Sequence, residues 1–204
     1  SQTQDPKIKY SFYKELEKGY DYNAKFLEIN PKEIVLFPKP ILVMNGSTVE
    51  LKDSELRCLA VNTYFEARNK SAELQAATAW TVLGRIGKYH KNTICGVITK
   101  ANKVHGKILA NKCSFSWYCD PNNNTYKNNK LANVIEIGEN EIEKKAYQEA
   151  VSISKKVLAM YKASGFKHSP YGRVTHYHRD DVNPYWKKDM KLLAKVDNHL
   201  FYRG

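Results

Sequence analysis

One acidic residue, Glu66, stands at a point where a carboxyl group can act as a proton donor. Apolar and small residues recur from Leu56 at three- and four-residue steps, which predicts a helix with Asp53 or Ser54 as its N-cap. Glu66 falls in the last turn, where partial burial and the negative end of the helix dipole both raise a carboxyl pKa. Cleavage of a glycosidic bond requires such a protonated acid. On this pattern alone, a surface glutamate without a chemical role is the simpler interpretation.

Two histidines are the second candidate for chemistry. His176 and His178 lie two residues apart in the alternating segment RVTHYH, so on a strand both project from one face. Together with His199 they could form a zinc site with three protein ligands and one open position. We favour hydrogen bonding to a polar substrate, or between the histidines.

The four cysteines could constrain the fold by forming disulfides. Cys113 and Cys119 flank SFSWY and could close a local loop, while Cys58 and Cys95 could tie the first helix to the next segment. The spacing contains no CxxC pair and so excludes a zinc ribbon. Three pairings and four reduced thiols remain open alternatives, and disulfides would indicate an oxidising compartment.

The composition narrows the class of partner. The chain has 204 residues and a formal net charge of +12, which fits one domain with an extension and a polyanionic partner. Nucleic acid, anionic lipid and bacterial cell wall all qualify. The one dense basic cluster, Lys187, Lys188 and Lys191, is too short for a nucleic-acid arm, so no nucleic-acid partner is expected. No apolar run approaches the roughly 20 residues of a membrane span.

The periodicities predict the elements that position these residues. Residues 1–50, with two apolar runs broken by Pro38 and Pro40, are predicted to be an N-terminal extension that packs on the domain or on a partner. Residues 51–204 are predicted to form the main domain. After the first helix, Ser71 is expected to cap a second helix that runs to about Lys88.

The second half of the chain changes from helical to alternating patterns. The predicted elements are a short helix in NTICGVITK, an extended segment KCSFSWYCD with Phe115 and Trp117 on one side, and a long helix from Glu141 to Ala163. One or two helical turns in WKKDMKLL lie between the strands RVTHYH and AKVDNHLFYR. Helices followed by strands indicate an α+β domain.

The order of these motifs resembles the SleB/CwlJ-type cell-wall hydrolases, especially their cysteine-containing members from Gram-negative bacteria and phages. The motifs are CLAVNTYFEAR, AATAWTVLGRI, NTICGVI, CSFSWYCD and THYH…VNPYW…NHLFYR, over about Leu56 to Tyr202. The resemblance implies a lysozyme-like α+β fold, with a small antiparallel β-sheet lining a cleft for peptidoglycan glycan strands. It also implies no metal, no cofactor and one catalytic acid, which falls on Glu66. The expected substrate-binding residues are Tyr64, Phe115, Ser116, Trp117, Thr175, His176, His178 and Trp186.

Three positions depart from the family pattern. Asn69 stands where a glycine is usual after Glu-Ala-Arg, and asparagine also tolerates the left-handed backbone of such a turn. Gly84 replaces an asparagine before the arginine of the second helix. Ser114 replaces a glutamine before Phe-Ser-Trp, which alters one expected substrate contact.

The number of acids bears on the reaction. A hydrolysing muramidase needs two carboxylates roughly 5 to 9.5 Å apart, and the candidates for a second one, Asp120, Asp180 and Asp181, adjoin turn sequence. A single acid suffices if the C6 hydroxyl of muramic acid attacks the anomeric carbon and gives a 1,6-anhydro product. The predicted function is therefore a lytic transglycosylase in which Glu66 acts first as acid and then as base.

Other functions remain open alternatives. They are a muramidase of the endolysin type, a zinc amidase or peptidase, and a cell-wall-binding module without catalysis. A monomer is expected, in the periplasm or at the cell wall outside the cell, encoded by a bacterium or by a phage that attacks the host wall.

Overall fold

The protein combines a helical core with small β-sheets, as the sequence predicts. The structure is a computed structural model, and it describes residues 54–89, 91–120 and 141–204 together with the strand segments 35–36, 41–44, 47–51 and 134–136. The helices are α1 (Ser54–Ala67), α2 (Ala72–Gly84), α3 (Ile94–Ile98) and α4 (Glu141–Ser164). Two 3-10 turns cover Ser116–Tyr118 and Tyr185–Asp189.

The strands form three sheets. They are β1 (Val35–Leu36), β2 (Ile41–Met44), β3 (Ser47–Leu51), β4 (Ala101–Val104), β5 (Lys107–Cys113), β6 (Val134–Glu136), β7 (His176–Arg179), β8 (Lys191–Val196) and β9 (His199–Arg203). The sheet orders are β1-β3-β2-β6, β4-β5 and β7-β9-β8. In the last of these, all neighbouring strands are antiparallel. The α+β class is confirmed.

The core lies where α1, α2 and α4 pack together. Helix α2 is buried from Leu74 to Gly84 because its small side chains let the neighbouring helices approach closely. The hydroxyls of Thr78 and Thr81 donate to the carbonyls of Leu74 and Ala77, which satisfies these polar groups inside the core. A buried core of this kind holds the end of α1, and with it Glu66, in a fixed position.

Helix α2 begins as predicted but ends earlier than predicted. Ser71 is its N-cap and accepts a hydrogen bond from the backbone N–H of Leu74. The helix stops at Gly84 rather than at about Lys88. The backbone of Val174 crosses directly over Gly84, and the chain then turns through Gly87 at φ 81°. The predicted left-handed turn after α1 is present, with Asn69 at φ 62°.

Two disulfides link neighbouring elements of the fold. Cys58 on α1 is bonded to Cys95 on α3, and Cys113 at the end of β5 is bonded to Cys119. The disulfides confirm the pairing that places one bridge between helices and one around SFSWY. No described cysteine is free.

The segment between Cys113 and Cys119 is not extended, and this prediction was wrong. Inside the short disulfide loop, Ser116–Tyr118 form a 3-10 turn, and both Phe115, directly before the turn, and Trp117 within it are buried. The β4-β5 hairpin before it was not predicted. Its strands are mostly exposed, so they lack an apolar alternation, and its turn uses His105 and Gly106 at positive φ.

The carboxyl-terminal sheet brings the predicted strand segments together. His176 pairs with Tyr202 and Tyr177 pairs with Phe201. The segment from Lys191 was predicted as helical turns, but only Tyr185–Asp189 is helical, and β8 begins at Lys191. Pairing with β9 overrides the local helical preference there.

The predicted boundary after residue 50 falls within β3. Strand β2 pairs with β3 and, in parallel, with β6 from the later part of the chain. The other residues of the proposed extension, Pro38 and Pro40 among them, lie outside the described residues.

Candidate active site

A cavity of about 280 Å³ opens where the end of α1 meets the carboxyl-terminal sheet. Its wall combines the helical core, the disulfide loop and strand β7. The lining residues are Glu66, Thr81, Arg85, Cys113, Ser114, Phe115, Ser116, Thr175, His176, Tyr177 and Trp186. Glu66 is the one carboxylate in this lining, among the residues that the structure describes.

Glu66 is the penultimate residue of α1 and is partly buried. Loss of hydration raises the pKa of its carboxyl group from 4.5 to about 7, while the neighbouring Tyr177 hydroxyl and Arg85 guanidinium act in the opposite direction. The predicted direction of the shift is therefore present. A carboxyl group with this pKa can both give and take a proton near neutral pH.

Arg85 provides the positive charge of the site and was not singled out in the sequence. Its Nε donates to the carbonyl oxygen of Thr175 at 2.6 Å, and its guanidinium lies over the Phe115 ring at 5.6 Å. Burial lowers the pKa of Arg85, but a guanidinium remains charged at any physiological pH. Its position directly after the buried helix α2 is the sequence feature that could have identified it.

Tyr177 is a second residue that sequence reasoning missed. Its hydroxyl is shielded from solvent and has no hydrogen bond of ordinary geometry to a described residue. It nevertheless lies close enough to Glu66 to lower the pKa of that carboxyl group. Burial and the Glu66 charge raise the pKa of Tyr177 well above its usual value, so the phenol stays protonated and can donate. The alternating pattern of RVTHYH indicated His176 and His178 as candidate site residues rather than Tyr177.

His176 lines the cavity as a neutral ring. Burial, followed by the charges of Arg85, Lys88 and Lys100, lowers the pKa of His176 to about 4. The Thr175 hydroxyl accepts a hydrogen bond from the backbone N–H of Gly204 at 2.8 Å and lies 2.9 Å from His176 Nδ1. When Thr175 donates to Nδ1, the proton of His176 is on Nε2, which becomes a donor for a substrate hydroxyl.

Aromatic rings and small polar groups complete the wall. Phe115 is buried below Arg85, and Trp186 contacts His176 with ring centroids 5.2 Å apart. Ser114 and Ser116 come from the disulfide loop. Ser114, one of the positions expected to depart from the family pattern, is therefore part of the cavity surface.

Three of the predicted substrate-binding residues do not line the cavity. The Tyr64 hydroxyl donates to Glu143 on α4, and Trp117 Nε1 donates to Asn62 at 2.8 Å. His178 Nε2 lies 2.8 Å from the Tyr202 hydroxyl, and its Nδ1 lies 2.6 Å from the carbonyl oxygen of Arg179. These side chains form hydrogen bonds to other protein groups and do not face the cavity. The predicted residues that do line the cavity are Glu66, Phe115, Ser116, Thr175, His176 and Trp186.

The arrangement of the histidines does not favour the zinc interpretation. Both ring nitrogens of His178 are occupied by protein groups, and His199 pairs with Arg179 at the far end of the β7-β9 ladder. Within the described part of the chain, no three histidine, cysteine or acidic side chains are grouped as metal ligands.

The candidates for a second carboxylate lie elsewhere. Asp180 pairs with Lys195 at 3.8 Å, and Asp181 pairs with Arg179 at 3.0 Å in the turn after β7. Neither they nor Asp120 line the cavity. The described wall therefore contains one carboxyl group, flanked by a cation and a phenol.

Comparison with known proteins assigns the family. The family model described as Cell Wall Hydrolase matches residues 69–202, which contain all of the cavity lining except Glu66. No curated protein and no solved structure matches the chain. None of the described helices is long and apolar enough to cross a membrane. The chain belongs to the SleB-like cell wall hydrolase family, and it is thus an enzyme of peptidoglycan degradation.

Proposed function

We propose that the protein is a lytic transglycosylase that cleaves the β-1,4 bond between MurNAc and GlcNAc in peptidoglycan. The observation that carries this proposal is the single carboxyl group of the described cavity wall, Glu66, whose pKa is raised to about 7. A group with this pKa can serve both proton transfers of a reaction that needs no second carboxylate.

The reaction begins with Glu66 as general acid. Its carboxyl proton passes to the glycosidic oxygen as the bond from that oxygen to C1 of MurNAc breaks, and GlcNAc leaves with a free 4-hydroxyl group. The C6 hydroxyl oxygen of the same MurNAc then attacks C1, and the Glu66 carboxylate takes the hydroxyl proton. The enzyme returns to its protonated form, and the product ends in 1,6-anhydro-MurNAc.

Arg85 and Tyr177 stabilise the deprotonated form of Glu66 that arises during the reaction. Once the carboxyl group has given up its proton, the nearby guanidinium and phenol stabilise the anion, and both already act to lower its pKa. Burial acts in the opposite direction and keeps the carboxyl group protonated at the start of the cycle. The balance of these two influences keeps the pKa close to the working pH, where general catalysis is most efficient.

The sugar chain would lie against the aromatic part of the wall. Trp186 presents apolar surface to the face of a sugar ring, and His176 and Ser116 present hydrogen-bonding groups. His176→Ala is expected to slow turnover less than Glu66→Gln, because a positioning group contributes less than the proton donor.

The two disulfides favour a location outside the cytosol, in the periplasm or at the cell wall. The chain carries a formal net charge of +12, which suits an anionic envelope.

Digestion of purified peptidoglycan tests the reaction. Mass spectrometry should find muropeptides with 1,6-anhydro ends and no new reducing ends. Reducing MurNAc ends would instead identify a muramidase that uses a second carboxylate. Intact strands that remain bound to the protein would indicate a binding module.

A further inference from the structure

A basic surface adjoins the cavity on the side of His176. It consists of Arg85, Lys88, Tyr89 and Lys100, and we call it the Tyr89 basic surface. The Nζ atom of Lys100 lies 4.7 Å from the centroid of the Tyr89 ring, and the guanidinium carbon of Arg85 lies 5.7 Å from the same centroid. The Tyr89 ring also contacts the ring of His176 with centroids 5.9 Å apart.

The backbone at Tyr89 is held in a strained conformation. This residue has φ 54°, which is uncommon for an aromatic side chain, and the ring remains 39% exposed. Lys88 is fixed beside it, because its Nζ donates to the carbonyl oxygen of Gly204 at 2.7 Å. The fold therefore presents an open aromatic ring with cations around it.

The two lysines of this surface lack acidic side-chain partners among the described residues. Neither Lys88 nor Lys100 forms an ion pair there, and the charged groups that act on His176 are the cations Arg85, Lys88 and Lys100. The hydroxyls of Tyr89 and Tyr177 and the carboxyl group of Glu66 favour the charged form of Arg85. Cations gathered at the mouth of a cavity repel one another, and an anionic ligand relieves that repulsion.

We propose that the Tyr89 basic surface is a subsite for the carboxylate groups of the peptidoglycan stem peptide. The inference rests on the proposed cleavage of glycan strands. The stem peptide leaves the strand from the lactyl group of MurNAc, next to the bond to be cut. It therefore extends from the cavity toward a neighbouring surface, and the surface shared by Arg85 and His176 is continuous with the cavity wall. Strands with charged stem peptides become the preferred substrate.

Neutralising the carboxylate groups of the stem peptide tests this subsite without shortening the peptide. Purified peptidoglycan, free of accessory polymers that carry phosphate, is compared before and after its carboxyl groups are converted to amides with a carbodiimide and ammonia. The wild-type enzyme should cleave the untreated material with a kcat/KM about tenfold higher, as expected for two partly exposed charge contacts. Added salt should reduce this preference.

Paired variants locate the effect. The double variant Lys88→Gln/Lys100→Gln should lose most of the tenfold preference. The control Lys145→Gln/Lys155→Gln removes the same charge from α4, which contributes no residue to the cavity lining, and should keep the preference. Equal cleavage of both substrates by the wild-type enzyme, or an unchanged preference in the Lys88/Lys100 variant, would overturn the subsite while leaving the transglycosylase reaction standing. Failure of the wild-type enzyme to cleave either substrate would remove the proposed reaction and the subsite with it.

Discussion

The carboxyl group of Glu66 at the end of α1 and the hydroxyl of Tyr177 on β7 lie side by side at the cavity wall. The two residues are distant in sequence and come from the helical core and the carboxyl-terminal sheet. Burial raises the pKa of the Glu66 carboxyl group, and the adjacent Tyr177 phenol lowers it. The sheet thus adjusts the chemistry of a residue that the helix positions.

Tyr177→Phe should therefore shift the pH profile upward. Without the phenol, the Glu66 carboxylate loses a stabilising neighbour, its pKa rises, and the alkaline limb of kcat/KM moves to higher pH. A hydrogen bond that the phenol donates to the Glu66 anion once that anion forms would contribute about 1.5 to 3 kcal/mol, so the rate of the step that needs the carboxylate should fall by about tenfold or more. Steady-state kinetics from pH 5 to 9 measure both changes.

Tyr147→Phe is the matched control for this variant. Tyr147 is also a buried tyrosine whose hydroxyl has no hydrogen bond to a described residue, but it packs against Tyr64 away from the cavity. Its removal should leave the pH profile in place. The same shift in both variants would show that Tyr177 acts through the fold rather than on Glu66.

Glu66 should make stability depend on pH. Its pKa is 4.5 when exposed and about 7 in the folded protein, so between these pH values only the folded chain holds the proton. Its stabilising contribution is complete below pH 4.5 and is lost as the pH rises to about 7, by about 3 kcal/mol at most. Chemical denaturation at pH 5 and 8 should show a larger loss for wild type than for Glu66→Gln. Parallel losses would contradict the raised pKa.

The two disulfides should differ in what they stabilise. Loop lengths of 37 and 6 residues predict a loss of about 4 kcal/mol for Cys58→Ala/Cys95→Ala and about 2 kcal/mol for Cys113→Ala/Cys119→Ala. The second pair should lose more activity, because Cys113 lines the cavity and its loop carries Phe115. Denaturation and activity assays on both variants should therefore rank them in opposite orders. The same rank in both assays would show that the loop has no special role in the site.

Gly84→Ala should destabilise the protein at the junction of α2 and the sheet. A Cβ atom at Gly84 would collide with the backbone carbonyl of Val174, and backbone cannot yield as a side chain can. The Arg173 Nε also donates to the Gly84 carbonyl oxygen at 3.0 Å, which fixes this approach. We expect a loss of about 1 to 3 kcal/mol in the free energy of unfolding. Gly87→Ala tests the alternative that any glycine in this turn has this effect. Gly87 has open space around it but a positive φ, so its variant should show only the smaller cost of backbone strain.

Periodicity and capping predicted the helices well because these signals are local. Ser71 caps α2, and α4 covers Glu141–Ser164. The position of Glu66 at a helix end also followed from local spacing. The end of α2 could not be predicted from local spacing. It is set by contact with the backbone of Val174, and no residue near Gly84 in sequence indicates that contact.

The cavity wall was only partly predictable for the same reason. Motif order pointed to Phe115, His176 and Trp186, but a residue type does not reveal which side of a strand or loop faces the cavity. Trp117 and His178 turned out to hold neighbouring elements together. The roles that we assign to Arg85 and Tyr177 depend on long-range contacts.

The most direct measurement is the product spectrum of purified peptidoglycan digested by wild type and by Glu66→Gln in parallel. Wild type should release 1,6-anhydro-MurNAc ends, and the variant should lose about 100-fold or more of this activity, as removal of a general acid predicts, while it unfolds cooperatively like wild type. Reducing ends from wild type, or an undiminished yield of anhydro ends from a folded Glu66→Gln, would contradict the assignment of Glu66 as acid and base.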